Sequence, residues 1–213
     1  MMRLATLLSG IATTARSGIE GDGPEVRSLH YRSQDVQPGG LFVALRGTVA
    51  DGHDFVGDAV ARGAVALVVD HPVAANAAVV QVPDSRRALA ELSAAFYGRP
   101  SEAMTVVAVT GTNGKTTTSY LIESILEQAG RRTGVIGTIN YRYAGRSFAN
   151  PVTTPESLDL QRILAEMRAA GVGHAVLEAS SHAIQLARIH ACRMDVAVFT
   201  NLSQDHLDFH GDM

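Results

Sequence analysis

A glycine-rich loop carrying one basic side chain follows a short apolar run near the middle of the chain. The run covers residues 105–109, and the loop at 110–118 reads TGTNGKTTT before a helical pattern begins. In this order of strand, loop and helix, backbone N–H groups and the positive end of the helix can converge on a phosphate. Lys115 supplies a mobile cation for the outer phosphates, and the Thr116 hydroxyl can hold Mg²⁺. The usual motif has a glycine where this chain has Val109, so this loop is a shorter variant. It predicts a triphosphate site, with a glycine-rich turn and a solvated lysine as the alternative.

Two later segments carry side chains suited to a metal ion beside such phosphates. Glu178 ends the apolar run 172–178, which predicts a carboxylate at the carboxyl end of a strand, where it can meet phosphate-bound Mg²⁺. A solvated glutamate or a helix cap would look the same in the sequence. His206 follows the apolar run 196–200, and we expect it to help hold a second Mg²⁺ or a water bound to that ion. A hydrogen-bonded loop histidine is the alternative there.

Two other chemistries are weaker interpretations of the same segments. His206 and His210 stand four residues apart, as zinc ligands can, but no third ligand cluster stands out. Ser180, Ser181 and His182 suggest a serine nucleophile with a histidine base, yet His182 is the serine's sequence neighbour and no G-x-S-x-G elbow is present. Neither a zinc site nor a hydrolase is therefore favoured.

Composition describes an ordinary globular chain of 213 residues, 46 % hydrophobic and 18 % charged. Its formal net charge of −3 gives no reason to expect nucleic-acid binding. The lone cysteine, Cys192, excludes an internal disulfide framework, suits a reducing compartment, and is expected to be a packing residue. No apolar stretch approaches the roughly 20 residues that span a bilayer, and no secretory signal opens the chain. A cytoplasmic protein without membrane insertion is expected.

Alternating apolar runs and helical patterns predict an α/β fold with mostly parallel sheets, whose ligands bind at the carboxyl ends of the strands. The break at residues 98–101 suggests two domains, 1–101 and 102–213. Strands are expected at 41–45, 65–69, 79–82, 105–109, 133–136, 172–178 and 196–200, of which the first and the last two are expected to be buried. Helices are expected at 55–62, 85–97, 119–129 and 157–170, with a hairpin at 139–148.

The apolar runs of the second domain are few for a nucleotide-binding sheet. We count three strands in it, with at most a flanking hairpin, which would leave an edge and much apolar surface uncovered. The expectation is a fragment of a longer protein, with an incomplete ATP-binding domain at 102–213.

Four segments together resemble the Mur ligases, the ATP-dependent amino-acid ligases of peptidoglycan synthesis, along essentially the whole chain. The glycine loop and the segment 199–208, FTNLSQDHLD, are shared across that superfamily. The segments 153–157, TTPES, and 178–183, EASSHA, are narrower and resemble the branch that adds the third residue of the stem peptide.

The resemblance implies a role for each matching residue. It places Lys115 and His206 in catalysis, Thr116 and Glu178 at Mg²⁺, and His206 at a second metal. Ser33 falls on a uridine position of the first domain, although the segment 31–34, YRSQ, departs from the commoner Leu-Asp-Ser-Arg. Residues 48–50 fall on a loop near the diphosphate. ATP would be bound by Gly111, Thr112, Asn113, Gly114, Lys115, Thr116 and Thr117. The UDP-muramoyl dipeptide would be bound by Thr153, Thr154, Ser180 and Arg188, the last of which could instead form a surface ion pair.

By the same resemblance, a carboxylate of UDP-N-acetylmuramoyl-L-alanyl-D-glutamate attacks the ATP γ-phosphate, and a diamino acid then attacks the resulting acyl phosphate. Because the substrate carboxylate and the γ-phosphate are both anions, cations are expected to supply most of the stabilisation that lets them approach each other. Whether diaminopimelate or lysine is added stays open, and a monomer is expected. The family's central domain continues beyond Met213 to a carbamylated lysine, and a third domain follows, so this chain alone is expected not to ligate. A folylpolyglutamate synthase-like ligase and a non-catalytic nucleotide-binding module are the alternatives.

Overall fold

The apolar runs of the sequence form the strands of two main sheets, one in each half of the chain. A computed structural model describes residues 1–47 and 50–213. The described residues divide into two units, Met1–Phe96 and Tyr97–Met213. Each unit is an α/β structure, as the sequence predicted.

The first unit contains a five-stranded sheet in which one edge strand is antiparallel and the others are parallel. Its order is β2-β7-β6-β5-β4, and β1 pairs with β3 in a separate ribbon. The strands are β1 Met2–Arg3, β2 Ala15–Ser17, β3 Glu25–Val26, β4 Ser28–His30, β5 Gly40–Val43, β6 Ala64–Val69 and β7 Ala78–Gln81. The helices are α1 Leu4–Leu7, α2 Val56–Ala61 and α3 Ser85–Phe96, with single 3₁₀ turns at Ser33–Asp35 and Gly52–Phe55.

Helix α3 is stabilised by a cap at its start and by an apolar face that packs into the core. The Asp84 carboxylate accepts hydrogen bonds from the N–H groups of Arg86 and Arg87, which caps the start of the helix. Leu89 and Leu92, three residues apart, are fully buried on one face. A second cluster around Phe42 and Leu67 packs with α2 on the sheet. The first unit therefore has a hydrophobic core of its own.

The second unit is built on a six-stranded sheet of order β11-β10-β9-β12-β8-β13. Four strands, β9, β12, β8 and β13, are parallel, and the β10–β11 hairpin continues the sheet antiparallel beside β9. The strands are β8 Thr105–Thr110, β9 Thr133–Ile136, β10 Asn140–Tyr143, β11 Arg146–Ala149, β12 His174–Glu178 and β13 Val196–Phe199. The helices are α4 Lys115–Gln128, α5 Ser157–Ala169, α6 Ser181–Gln185 and α7 Leu207–His210, with a 3₁₀ turn at Pro100–Ala103.

Helices cover both faces of this sheet. On one face, α5 buries Leu160, Ile163, Leu164 and Met167, whose spacing forms one helical stripe, against Leu177 and its neighbours. On the other face, Ile122 and Leu126 of α4 pack on Val109, Val135 and Val176. The parallel strands consequently run their carboxyl ends to one edge, where the predicted phosphate loop lies.

Two expectations for this sheet are wrong. It holds four parallel strands plus a hairpin, not three strands, because each of the apolar runs at 105–109, 133–136, 172–178 and 196–200 forms a strand of this one sheet. The segment 196–200 was expected to be buried, yet Val196 and Phe199 are 48 % and 63 % exposed. They are exposed because β13 is an edge strand that pairs only with β8.

Cys192 matches its expected packing role. Burial raises the pKa of its thiol to about 12, and Gln161 Nε2 lies 3.1 Å from the sulfur. Among the described residues, no helix combines the length and apolarity that a membrane span requires.

Candidate active site

The glycine loop lies where β8 ends and α4 begins, at the carboxyl edge of the second sheet. The first bond within the helix runs from Thr118 N–H to the Gly114 carbonyl, so the amides just before it point out of the helix start, where an anion can meet them. Lys115 Nζ folds back over the loop and donates to the carbonyls of Gly111 and Thr112, at 2.8 and 3.1 Å. The ammonium group is thus held beside the helix start, by two neutral oxygens that an anionic ligand can replace.

The loop is fastened to the segment that follows β13. The Asn201 backbone carbonyl accepts a hydrogen bond from the Thr112 N–H at 3.0 Å. The Asn201 side-chain Oδ1 accepts one from the Asn113 N–H, also at 3.0 Å. Asn201 Nδ2 also donates to the Asn113 carbonyl at 3.0 Å. Thr112 and Asn113 therefore shape the loop, and the amides left for a phosphate include those of the first turn of α4.

Gly111 is required by this close approach. Its φ is +127°, and a Cβ on it would overlap Thr200 Oγ1 and crowd the Asn201 backbone. The Thr200 hydroxyl in turn contacts the carbonyls of Thr110 and Asn113. The sequence motif at 199–208 thus has a structural reason to accompany the glycine loop.

Glu178 lies at the end of β12 and is only 1 % exposed. Its Oε2 accepts the hydroxyls of Thr116 at 2.9 Å and Thr138 at 2.8 Å, and Ser119 Oγ lies 3.3 Å from Oε1. Among the described residues, no basic side chain forms an ion pair with it. A buried carboxylate surrounded by neutral hydroxyls is electrostatically costly. A divalent cation beside the Thr116 oxygen would offset that cost, so this donor set fits Mg²⁺.

Thr138 was missed by sequence reasoning. It lies two residues after the end of β9, and a polar side chain just beyond a buried parallel strand is the signal that could have found it. Gly137 beside it leaves no room for a Cβ, which would overlap the Glu178 carboxylate. The ends of β9 and β12 are therefore fitted to each other around that carboxylate.

The expected substrate residues lie next to this carboxylate. Thr153 Oγ1 is 3.1 Å from Thr138 Oγ1. Thr154 is fully buried, and its hydroxyl donates to the Glu178 carbonyl and accepts the N–H of Ser180. Ser180 caps α6 by accepting the N–H of Ala183. The side chain of Thr154 is thus occupied by the backbone, which leaves Thr153 as the more accessible of the two threonines.

Arg188 is partly buried against the same segment. Its Nη1 donates to the Thr154 carbonyl at 3.0 Å, and its Nε lies 3.6 Å from Glu156 Oε2. The alternative of an ion pair is therefore realised, but inside the expected substrate loop and not on an isolated surface.

His206 and the glycine loop line the same cavity, which has a volume of about 320 Å³. Its lining includes Gly111, Lys115, Ser180 and His206. His206 has a left-handed backbone with φ 53°, and its side chain is about half exposed. The ring of His182 lies 4.6 Å from it, and burial, followed by the nearby His206 and His210, lowers the pKa of His182.

The zinc and hydrolase alternatives find little support in the geometry. The two ring nitrogens of His210 are already bonded, to Gln185 Oε1 at 2.8 Å and Ser181 Oγ at 2.9 Å. Ser181 is the serine that contacts a histidine, His210, and the group on the other side of that ring is the neutral Gln185 amide, which carries no negative charge to stabilise an imidazolium.

In the first unit, Ser33 lies in the 3₁₀ turn and is 7 % exposed. The hydrogen bond from the Ser33 side chain, and after it the one from the Arg62 side chain, lower the pKa of Asp58. Thr48 and Val49, expected near a diphosphate, lie outside the described residues.

In the first unit, Asp51, His53 and His71 lie close enough together to resemble a metal centre, and Asp70 contacts both histidines. The buried His53 accepts the Asp70 N–H at Nε2, so its Nδ1 carries the proton that faces Asp51. The backbone N–H of His53, followed by its ring, lowers the pKa of Asp51. Both ring nitrogens are used, so His53 ties the turn Gly52–Phe55 to the end of β6.

Comparison with known proteins decides the family. The model of the Mur ligase middle domain matches residues 109–213, and that of the Mur ligase family catalytic domain matches residues 25–97. The chain belongs to the Mur ligase family. This confirms the family resemblance and favours it over the folylpolyglutamate synthase alternative.

The relatives that match it belong to the expected branch. The UDP-N-acetylmuramoyl-L-alanyl-D-glutamate–2,6-diaminopimelate ligase of Geobacillus thermodenitrificans is 49 % identical over 212 residues, which is 100 % of this chain and 43 % of that protein. The enzyme of the same name from Geobacter metallireducens is 48 % identical over 191 residues, 89 % of this chain and 37 % of its own length. The chain therefore spans less than half the length of these Mur ligases.

Solved structures agree on the fold. A structure of a UDP-N-acetylmuramoyl-L-alanyl-D-glutamate–2,6-diaminopimelate ligase matches 97 % of this chain and 42 % of its own, with a TM-score of 0.77 and 28 % identity. A MurF ligase from Thermotoga maritima in complex with ADP matches 87 % of this chain and 40 % of its own, with a TM-score of 0.61 and 29 % identity. The predicted α/β fold class is confirmed.

Proposed function

We propose that this chain forms the ATP-binding and muramoyl-binding part of a ligase that joins 2,6-diaminopimelate to UDP-N-acetylmuramoyl-L-alanyl-D-glutamate. The observation that carries the proposal is that two features meet at the start of α4: the Lys115 ammonium group over the phosphate loop, and the buried Glu178 carboxylate bonded to the Thr116 hydroxyl. The choice of diaminopimelate over lysine follows the names of the relatives.

The chain's own residues would act by placing charge around the phosphates. The amides of the first turn of α4 receive phosphate oxygens, and Lys115 exchanges its two carbonyl partners for the outer phosphates. When bound at Thr116 and Glu178, with His206 at a second ion, Mg²⁺ would supply the positive charge that lets the substrate carboxylate approach ATP. Thr153, Ser180 and Arg188 would hold the substrate on the Glu178 side of the loop, with Ser33 at the uridine.

The reaction would proceed through an acyl phosphate. The carboxylate oxygen of the substrate bonds to the γ-phosphorus as ADP leaves, and the amine of diaminopimelate then attacks the acyl carbon and releases phosphate. Since all these components are nucleotides or small polar molecules, we place the reaction in the cytoplasm. We also propose that the protein is a monomer.

Titration calorimetry with ATP and then with the UDP-muramoyl dipeptide tests the proposal. The full-length protein encoded by the gene is expected to bind both ligands and to release ADP over repeated turnovers only when the dipeptide and diaminopimelate are both present. A protein that binds ATP but ignores the muramoyl ligand would be the non-catalytic module instead. The 213-residue chain alone is expected to bind the dipeptide weakly and not to ligate, so ligation at full-length rates would contradict that expectation.

A further inference from the structure

A line of hydroxyl groups joins the expected substrate loop to the buried carboxylate. Thr138 Oγ1 lies 2.8 Å from Glu178 Oε2 and 3.1 Å from Thr153 Oγ1. Glu178 lies at the end of β12, Thr138 follows β9, and Thr153 precedes α5. Three separate segments thus meet through the hydroxyl of Thr138.

The polarity of this line is fixed by the carboxylate. An ionised carboxylate only accepts hydrogen bonds, so Thr138 must donate its single hydroxyl proton to Glu178. Thr138 can then only accept from its other neighbour, and Thr153 must be the donor to it. All the protons along the line therefore point from the surface toward Glu178.

This arrangement makes the two ends sensitive to each other. A bond that polarises Thr153 also strengthens the donation from Thr138, because hydrogen bonds in a chain polarise one another. Conversely, a cation bound to the Glu178 carboxylate withdraws electron density from the oxygen that accepts the Thr138 hydrogen bond. This alters the bond that orients Thr138 and, through it, Thr153. Thr138 is exposed, but its hydroxyl contacts both Glu178 and Thr153 directly, so no bridging water is needed to complete the link.

We infer that Thr138 is a positioning residue that couples substrate binding at Thr153 to the binding of the Mg²⁺–nucleotide at Glu178. This inference rests on the proposed function and deepens it. Binding of the muramoyl dipeptide should raise the affinity for the nucleotide, and by linkage the nucleotide should raise the affinity for the dipeptide by the same factor. With such coupling, the protein would bind the nucleotide more tightly when the muramoyl dipeptide is also bound.

The test is a binding cycle on the full-length protein encoded by the gene. Titration calorimetry measures Mg²⁺–ADP affinity with and without saturating UDP-muramoyl dipeptide, in wild type, Thr138→Val and Thr138→Ser. Wild type is expected to gain about fivefold or more in affinity when the dipeptide is present. Thr138→Val, which keeps the shape and removes the hydroxyl, should reduce that gain to about onefold, whereas Thr138→Ser should keep most of it.

Two controls separate coupling from folding. Thr105→Val makes the same chemical change at the opposite end of the sheet and should leave the coupling intact. Melting temperatures show whether each variant folds, and Thr153→Val, which interrupts the same line at its accessible end, replaces Thr138→Val if that variant does not fold. Saturation by the dipeptide is verified for each variant.

The outcomes are distinguishable. Equal coupling in wild type and Thr138→Val, or loss of coupling in Thr138→Ser as complete as in Thr138→Val, would overturn the role of Thr138. No coupling in a wild type that binds both ligands would overturn it as well. A wild type that binds neither ligand would instead refute the proposed function.

Discussion

At the residue scale, the site depends on how one buried carboxylate is surrounded. Three hydroxyl-bearing side chains approach Glu178, and no basic side chain pairs with it among the residues that the structure describes. Hydroxyls moderate a buried negative charge but do not neutralise it. The local chemistry therefore calls for a cation, and Thr116 leads from the carboxylate to the phosphate loop.

Gly137→Ala tests the fit around this carboxylate. A Cβ at Gly137 would overlap Glu178, so the carboxylate must move away from Thr138 and Thr116. Because changes to the groups that orient metal ligands typically weaken binding 10- to 100-fold, we expect the affinity for Mg²⁺–ADP to fall by about tenfold or more. Calorimetry would measure it. Gly173→Ala is the control, since a Cβ there meets nothing within 4 Å, and equal affinities in the two variants would contradict the fit.

His30 gives the first unit a pH dependence whose sign can be derived. Burial lowers the pKa of His30 from 6.5, and Asp35 offsets only part of the effect. As pH falls through 6.5, the unfolded chain takes up a proton that the folded unit resists, so the unfolded state binds more protons. The free energy of unfolding should therefore decrease until the lower, folded-state pKa is passed. His30→Gln keeps a polar side chain beside Ser28 and should reduce this loss, measured as the change in melting temperature between about pH 7.5 and about pH 5.5. An identical change of melting temperature in wild type and His30→Gln would contradict the role of His30 in the pH dependence.

At the element scale, the phosphate loop keeps its shape through a neighbouring loop. Asn201 bonds both the N–H and the C=O of Asn113, which mimics a strand partner beyond the end of β13. Asn201→Ala removes both bonds, each contributing about 1 kcal/mol. We expect nucleotide affinity to fall by about tenfold, while the melting temperature changes little because Asn201 is exposed. Asn76→Ala, an exposed asparagine of the first unit, is the control. Unchanged nucleotide affinity in Asn201→Ala would show that the loop holds its shape without this contact.

Elements were more predictable from the sequence than the contacts between them. The strand β8, the helix α5 with its stripe from Leu160 to Met167, and the loop at 110–118 follow from local pattern. The exposure of β13 does not, because an apolar run reads the same at an edge as in the interior, and the strand order decides which it is. Thr138 was missed for a related reason, since its partners Glu178 and Thr153 are distant in sequence and meet only through the parallel register of β9 and β12.

At the scale of the whole molecule, each unit carries a hydrophobic core of its own. In the first unit, Leu41, Phe42, Leu67, Leu89 and Leu92 are all essentially inaccessible to solvent. Domains of this size can bury enough surface to fold alone. Residues 1–96, expressed separately, should therefore melt in one cooperative transition by circular dichroism. A gradual, non-cooperative loss of signal would show that this unit needs the rest of the chain.

The distribution of basic residues over the whole chain singles out the phosphate loop. Lysine and arginine together number 18, and Lys115 is the only lysine among them. An amine-directed reagent would therefore find one side-chain target, at the start of α4. This feature makes Lys115 the most informative position to change, because arginine is larger and bidentate, whereas methionine keeps the length and removes the charge.

The most direct measurement of the central claim is the turnover of Lys115→Met in the full-length protein encoded by the gene, followed as ADP released in the presence of the dipeptide and diaminopimelate. If Lys115 stabilises the transferred phosphate, losing its charge should lower kcat by at least about 100-fold, as loss of a single transition-state donor does elsewhere. Arg16→Met, at an exposed site in the first unit, should turn over like wild type. A Lys115→Met enzyme within about tenfold of wild type would contradict the account.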